Sequence, residues 1–387
     1  MSQAIPAVLA IDGGNSKTDA ALVAIDGTLL AQVRGPGMPG RLGEQTVGVI
    51  GDLVRAVTAA AGCPPSAAAS QADGGPADRG PADDGPADDG LAGRGLVGRG
   101  LVRPGPQPAG LVASHLVACV ANADLPSEER QLERMLHEQG WTASTVVAND
   151  TYAVLRAGLD DLPAAGASRF WGVGITCGTG INCVGNAPDG RTAGFLALGM
   201  ISGDWGGGGG LGLEAQWHAV RAADGRGPQT ALLQAVPAHF GMTDPLDLAE
   251  AIHLGEIGWD KLAGLVPVIF EVAGSGDQVA RDLVLRLARE IFLLARSAIT
   301  RLHLAAEPVP VVLGGGIIAS GNPLLIEEAT RLITAEFPAA DVRVLLHAPV
   351  AGASLLGLDI AGATVAARQR LRAAFASQQA IISTVAG

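Results

Sequence analysis

Lysine is almost absent from this chain: Lys17 and Lys261 are the only two among 26 Lys and Arg residues. Acidic residues outnumber basic ones, 38 to 26, and the net charge of −12 excludes nucleic acid and anionic membrane surfaces as natural partners. Only four cysteines occur, Cys63, Cys119, Cys177 and Cys183, with no CxxC spacing and no nearby histidine. That excludes a disulfide framework and a zinc module, and leaves free thiols suited to a reducing cytosol. No charge-free apolar run is long enough to span a membrane, and MSQAIPAVLAIDGG carries no basic region ahead of its first strand. A cytoplasmic protein without a signal peptide is expected. What the chain does have is 55 glycines and 387 residues, long for one core, so two domains are the natural expectation.

The glycines matter most in VLAIDGGNSKTDAALVAIDG, residues 8–27. Val8 to Ile11 reads as a buried strand ending in Asp12; Gly13, Gly14, Asn15, Ser16, Lys17 and Thr18 form a tight turn, and Ala20 to Ile25 returns as a second strand. A glycine turn bares backbone N–H groups, and with small hydroxyls beside them it suits a phosphate. A lysine here, in a chain that otherwise uses arginine, points to a compact charge wanted at that place. The alternative is an ordinary hairpin with a polar turn. It is not a P-loop, because a strand rather than a helix follows, and it is not GxGxxG opening a helix.

Thr28 to Val33 reads as a third strand, 35–40 as a breaker-rich loop, and Glu44 to Ala61 as an amphipathic helix. Residues 64–109 differ in kind. From Gly75 a five-residue glycine period (GPADR, GPADD, GLAGR) fits neither helix nor strand and reads as a disordered insert within a domain. Order returns with a strand over 111–120, a helix over 126–139, a strand over 145–148 ending in Asn149-Asp150, and a helix from Thr151.

The second half begins like the first. A strand over 170–176 meets the tight turn Cys177-Gly178-Thr179-Gly180, a strand over 181–184 returns, and a third runs over 192–198. Then come Gly203-Asp204-Trp205 with five glycines as a loop, a helix from Leu211, helices over 228–304, a strand over 308–313 that meets Gly314, Gly315 and Gly316, a helix from Pro323, a strand over 342–346 and one helix over 351–375. The five successive glycines suggest close backbone approach to a ligand. A strand, glycine turn, strand, strand, helix order thus occurs twice, each copy with a phosphate-type turn after its first strand. Division into 1–158 and 159–387 follows.

Six blocks, IDGGNSKTD (11–19), ND (149–150) ahead of Arg156-Ala157-Gly158, GITCGTGINCVG (174–185), SGDWGGGGGLG (202–212), VVLGGGI (311–317) and PVAGASLLGL (349–358), occur in the order of one family. In them the chain resembles the actin, hexokinase and Hsp70 superfamily, and more closely the BadF/BadG/BcrA/BcrD-type ATPases that include N-acetylglucosamine kinase. The resemblance implies an α/β fold: two ribonuclease H-like (actin/hexokinase-type) domains around a nucleotide cleft, with mixed five-stranded sheets flanked by helices. It implies ATP and Mg²⁺ as cofactors, a small sugar as substrate, and a homodimer as one compatible state. By position, Asp12 resembles the carboxylate that holds Mg²⁺ through water. Gly13 to Thr18 and Gly178-Thr179-Gly180 resemble the two phosphate turns, and Gly314 to Gly316 the adenosine-side loop. Asp150 resembles the catalytic base, with Asn149, Asn182 and Asp204 on the sugar side. The residues by themselves leave alternatives: Asp150 as a helix N-cap, Asp204 as a turn residue, Asn182 as a solvent-facing strand residue. The sugar side departs from the family pattern. The loop over 35–40 lacks an asparagine, GDEGSG is GDWGGG with Trp205, and GTGSN is GTGIN with Ile181. The expected activity is phosphorylation of an amino sugar, most simply N-acetylglucosamine to its 6-phosphate. The alternatives are an ATPase activator of a 2-hydroxyacyl-CoA dehydratase and a catalytically silent sugar sensor.

Overall fold

The computed structural model describes residues 6–62, 111–161, 170–345 and 349–385. The low-complexity insert over 64–109 and Cys63 lie outside them. Two five-stranded sheets organise the chain, as the duplicated pattern predicts. The first has the order β3-β2-β1-β4-β5, from β1 (Pro6–Gly13), β2 (Lys17–Ala24), β3 (Leu29–Pro36), β4 (Ala113–Val120) and β5 (Thr142–Asn149). β1 to β3 are an antiparallel meander, whereas β4 and β5 run parallel to β1. The carboxyl ends of β1, β4 and β5 therefore lie together along one sheet edge, where α/β folds place their ligands.

Both faces of this sheet are covered, which explains the near-continuous apolar run of β1. Leu9, Ile11, Ala20 and Leu22 face one core with residues of α1 (Glu44–Ala60) and α2 (Pro126–His137). Val8, Ala10, Ala21 and Val23 face the other core, under α3 (Thr151–Gly158) and α11 (Val350–Ile360). Edge strand β5 has two N–H groups closed off by α2: those of Val147 and Asn149 donate to Glu133 and Glu129, both at 3.3 Å.

The second sheet has the order β10-β9-β6-β7-β8, from β6 (Gly172–Cys177), β7 (Ile181–Asn186), β8 (Thr192–Gly194), β9 (Pro310–Gly314) and β10 (Asp341–Val344). Its helices are α4 (Gly207–Ala223), α5 (Leu232–His239), α6 (Pro245–His253), α7 (Val266–Gly274), α8 (Gln278–Arg301), the short α9 (Gly316–Ala319) and α10 (Pro323–Glu336). β8 stops at Gly194, short of the expected Leu198, and the chain beyond takes irregular turns with Ala197 at φ 52°.

The single helix expected over 351–375 is two, α11 and α12 (Val365–Val385). Gly362 adopts φ 69°, and the N–H of Ala363 returns to the Leu358 carbonyl at 2.9 Å, closing α11. Thr364 then accepts the Ala367 N–H through its hydroxyl and opens α12. Packing groups the chain into two compact units. One takes in the described residues of Met1–Phe170, Asn186–Gly194 and His347–Gly387; the other is Trp171–Gly185 with Phe195–Leu346. The C-terminal helices thus belong with the first sheet, where a boundary after residue 158 assigned them to the second half. The reason is the fully apolar face of α11, with Val350, Ala353, Leu355, Leu356 and Leu358 all buried against β1, β2 and β4. Among the described residues no helix is long and apolar enough to cross a membrane.

Candidate functional site

In the first unit, the turn after β1 is closed by its own backbone, with the Gly14 N–H donating to the Lys17 carbonyl at 2.9 Å. Asn15, Ser16 and Lys17 are exposed at its tip. The loop after β3 is laced onto it: the Met38 N–H donates to the Gly14 carbonyl at 2.9 Å, and the Met38 side chain is buried in the core. That loop lacks the family's asparagine, but Asn122, at φ 67° beyond β4, reaches it. Its side-chain amide donates to Asn15 Oδ1 at 2.7 Å and to the Pro39 carbonyl at 3.3 Å.

Asp12 is buried at the carboxyl end of β1, opposite Asp19 of β2 and beside Cys119 of β4. Burial pushes its carboxyl well above the ordinary range; Asp150 and Asp19 push the same way, against Lys17 and Arg34. Cys119 responds likewise: burial raises its thiol well above the usual value, with Asp12, Asp150 and Glu129 adding to it. Asp12, Cys119 and Asp150 therefore share one neighbourhood at the ends of β1, β4 and β5. Thr18, expected with the phosphate turn, is fully buried instead. It pairs with Gly13 in the β1–β2 register, so it stands on the sheet face opposite to that of Asp12, and its hydroxyl has no hydrogen-bond partner.

The residues 149 and 150 divide their roles. The Asn149 carbonyl oxygen Oδ1 accepts the Thr151 N–H at 3.0 Å, and its amide donates to Asp124 Oδ1 at 2.9 Å. Asn149 is buried and holds the β5–α3 junction. Asp150 makes no capping bond with its side chain. Its carboxylate accepts the Thr151 hydroxyl at 3.5 Å, and burial pushes its pKa up to about 6 although the Thr151 contacts pull it down. Neither Asp19 nor Arg34 was singled out in the sequence. The available signal was two charges in alternation with the inward-facing apolar residues of β2 and β3.

In the second unit, three glycine segments converge. Gly208 and Gly209, in the first turn of α4, donate their N–H groups to the Gly178 and Thr179 carbonyls at 2.8 and 2.9 Å. Gly207, at φ 66°, lies so close to Gly180 that a Cβ there would meet its backbone. Gly315 sits in the same way against the backbone of Cys177. The glycine run is thus not a loop ahead of a helix but the start of α4, and its close backbone approach is to the 178–180 turn. Thr179 and Gly180 remain exposed at the tip of that turn, as Gly316 does beyond β9.

Asn182 is buried rather than solvent-facing, and its Oδ1 accepts the Cys183 N–H at 2.7 Å. Asp204 accepts the Ser202 hydroxyl at 2.5 Å. Trp205, nearly buried, carries the Arg286 guanidinium of α8 over its ring at 3.8 Å. Among the described residues no group of three or more His, Cys, Asp or Glu could cage a metal ion. A Mg²⁺ ion is commonly held by one or two carboxylates, water and substrate phosphate. Asp12, a carboxylate buried beside Asp150 and Asp19 where a cation would relieve the repulsion, fits that mode.

Comparison with known proteins agrees with this architecture. The model of the BadF/BadG/BcrA/BcrD ATPase family matches residues 9–357. An N-acetyl-D-glucosamine kinase of Dictyostelium discoideum is 28% identical over 233 residues, 60% of this chain and 72% of that protein. An N-acetylmuramic acid/N-acetylglucosamine kinase of Clostridium acetobutylicum is 25% identical over 236 residues, 61% of this chain and 74% of that protein. A solved structure from Chromobacterium violaceum, provisionally assigned as an N-acetylglucosamine kinase, has the same fold, with a TM-score of 0.61 at 21% identity over 91% of this chain and 99% of that one. With its family model spanning both sheets and every glycine segment described above, the chain belongs to the BadF/BadG/BcrA/BcrD ATPase family.

Proposed function

We propose that this protein is an ATP-dependent kinase of an amino sugar, with N-acetylglucosamine, phosphorylated at its 6-hydroxyl, as the leading substrate. The observation that carries the reading is the state of Asp150. It stands at the carboxyl end of β5 near Asp12, it is relieved of helix capping by Asn149, and its pKa of about 6 suits a general base at neutral pH. The names of the curated relatives, both kinases of N-acetylated amino sugars, support the substrate class.

In this reading Asp150 orients the acceptor hydroxyl and takes its proton as the phosphoryl group transfers. The 13–17 turn and, separately, the 178–180 turn are each glycine turns of the kind whose tip N–H groups suit phosphate oxygens, and holding phosphate is most of what phosphoryl transfer asks of a protein. Asp12 would hold Mg²⁺ through water, and the ion neutralises phosphate charge when bound. Gly314 to Gly316 serve the adenosine side, and Asn182 and Asp204 the sugar. Asn149 acts behind Asp150 as its positioning residue. Against the dehydratase-activator alternative stand Cys177 and Cys183: both are buried, and burial pushes the Cys177 thiol up to about 12 and that of Cys183 higher still. Such thiols are poor ligands for a cluster at a subunit surface.

The test is an ADP-release screen with Mg²⁺-ATP over N-acetylglucosamine, N-acetylmuramic acid, N-acetylmannosamine, glucosamine and glucose. Turnover that is fastest with an N-acetylated amino sugar supports the proposal. ADP release that no sugar accelerates would overturn it.

A further inference from the structure

Asp12, Asp19 and Arg34 stand in one row across three strands. Asp12 is opposite Asp19 in the β1–β2 register, and Asp19 is opposite Arg34 in the β2–β3 register. Register partners share a sheet face, so all three side chains leave the sheet on the side of α3 and α11. The Asp19 side chain is only 1% exposed. Arg34 places Nε at 2.8 Å from one of its carboxylate oxygens and Nη2 at 3.1 Å from the other, a fork-to-fork pair. Lys17 adds a second cation, with Nζ 3.8 Å from Oδ2. One arginine fork already satisfies a buried carboxylate, so Asp19 does not need Lys17 as a partner.

The placement of that charge is informative. The Arg34 side chain is 55% exposed and Lys17 48%. A guanidinium has five N–H donors, and the bonds to Asp19 take one edge, leaving the other edge toward solvent. The charges of Arg34 and Lys17 both reach Asp12. An arginine pinned along one edge by a buried acid is preorganised, because the rotamer entropy a free side chain would lose on binding is already spent.

We infer that Arg34 is a phosphate-binding residue of the nucleotide site, its free edge taking the terminal phosphate of a nucleoside triphosphate while Asp19 holds it in place. The inference rests on the kinase reading, which supplies the triphosphate. Lys17 is the flexible second cation of the same clamp. No bond to carbon or phosphorus changes at Arg34; its part is to neutralise charge on the transferring group.

The test compares binding of the non-hydrolysable analogue AMPPNP with that of ADP, both with Mg²⁺, by calorimetry on the full chain. Arg34→Gln should lower affinity for AMPPNP by about tenfold or more while ADP binding stays within about twofold, and kcat should fall by roughly 10²-fold, as when one oxyanion donor is removed. KM for the sugar should hold. Should Arg34→Gln fail to fold because Asp19 is left buried and unpaired, the pair Asp19→Asn with Arg34→Gln removes both charges, and the same loss of preference for AMPPNP is expected. An unchanged AMPPNP-to-ADP ratio in a folded variant, or an equal loss on both, overturns the inference. Wild-type ADP release from the sugar panel is the control that separates its failure from failure of the kinase reading.

Discussion

Asp150 shows what a single residue discloses and what it conceals. Asn and Asp are both good cap residues, so Asn149-Asp150 ahead of a helix leaves open which one caps. The answer depends on Asp124 and Ala123, more than 20 residues away, which engage the Asn149 amide and turn its oxygen toward Thr151. Asp150 is then left for chemistry. Its folded-state pKa is about 6, above that of an exposed aspartate, so the folded protein holds this proton more tightly than the unfolded chain does. The stability it contributes is therefore present at acid pH and lost as pH rises through about 6. A general base works only when deprotonated, so kcat/KM should climb as pH rises through that same value. Asp150→Asn should remove this acid limb and lower kcat by roughly 10²–10⁴-fold. Its melting temperature at pH 7.5 should equal or exceed that of the wild type, because a desolvated charge is gone. Near-normal turnover by that variant, or a rate flat with pH between 5 and 7, would remove Asp150 as the base. Asp19 and Arg34 were harder to read. Charges within a strand usually mark a solvated face, and only the register reveals that these two meet beside Asp12.

At the scale of elements, the strand–turn–strand units were legible because apolar runs bounded by Gly and Asp have few other solutions. The five-glycine run was not. Glycine has a low helix propensity, so a sequence reading assigns such a run to a loop. The structure uses it as the N-cap and first turn of α4, with Gly207 too close to the Gly180 backbone and Gly208 too close to Ala263 for a side chain to fit freely. The glycines are not equivalent, which gives a contrast to measure. Gly207→Ala puts a methyl group into the Gly180 backbone at a positive φ, and should destabilise the protein by more than about 1 kcal/mol and weaken nucleotide binding. At Gly210, in the helix interior, the nearest atoms a Cβ would meet are those of Trp205 at 3.9 Å. Gly210→Ala should leave binding intact and stabilise by about 0.5–1 kcal/mol. Thermal melts with and without ATP read both effects. Equal behaviour of the two variants would mean that the contact between α4 and the turn does not constrain the site.

At the scale of the whole molecule, the repeated architecture was readable, but the return of the C-terminal helices to the first unit was not. Sequence order places α11 and α12 after the second sheet. Their destination is set by packing and by a buried ionic network far apart in sequence. Arg156 of α3, 3% exposed, donates from Nε to Asp359 of α11 at 2.7 Å and from Nη2 to Asp161 at 3.1 Å. Arg372 of α12 reaches the other oxygen of Asp161 at 2.8 Å, and Arg368 reaches Asp359 at 2.9 Å. Three arginines and two aspartates thus tie three helices of one unit, and each acid is shared. Because Arg156 and Asp161 are buried, removing Asp161 leaves a desolvated Arg156 with Asp359 as its remaining acid, which costs up to about 3 kcal/mol, whereas salt screens such a pair only weakly. Asp161→Ala should therefore lower the denaturation midpoint strongly in both 0.05 and 0.5 M NaCl. It should also make α12 more open to limited proteolysis, since Arg372 then keeps only the backbone carbonyls of Arg156, Ala157 and Leu159 as acceptors. A variant that melts like the wild type would show that apolar packing of α11 alone holds the C-terminal helices. Loss of stability in low salt but not in high salt would place the network in solvent rather than in the core.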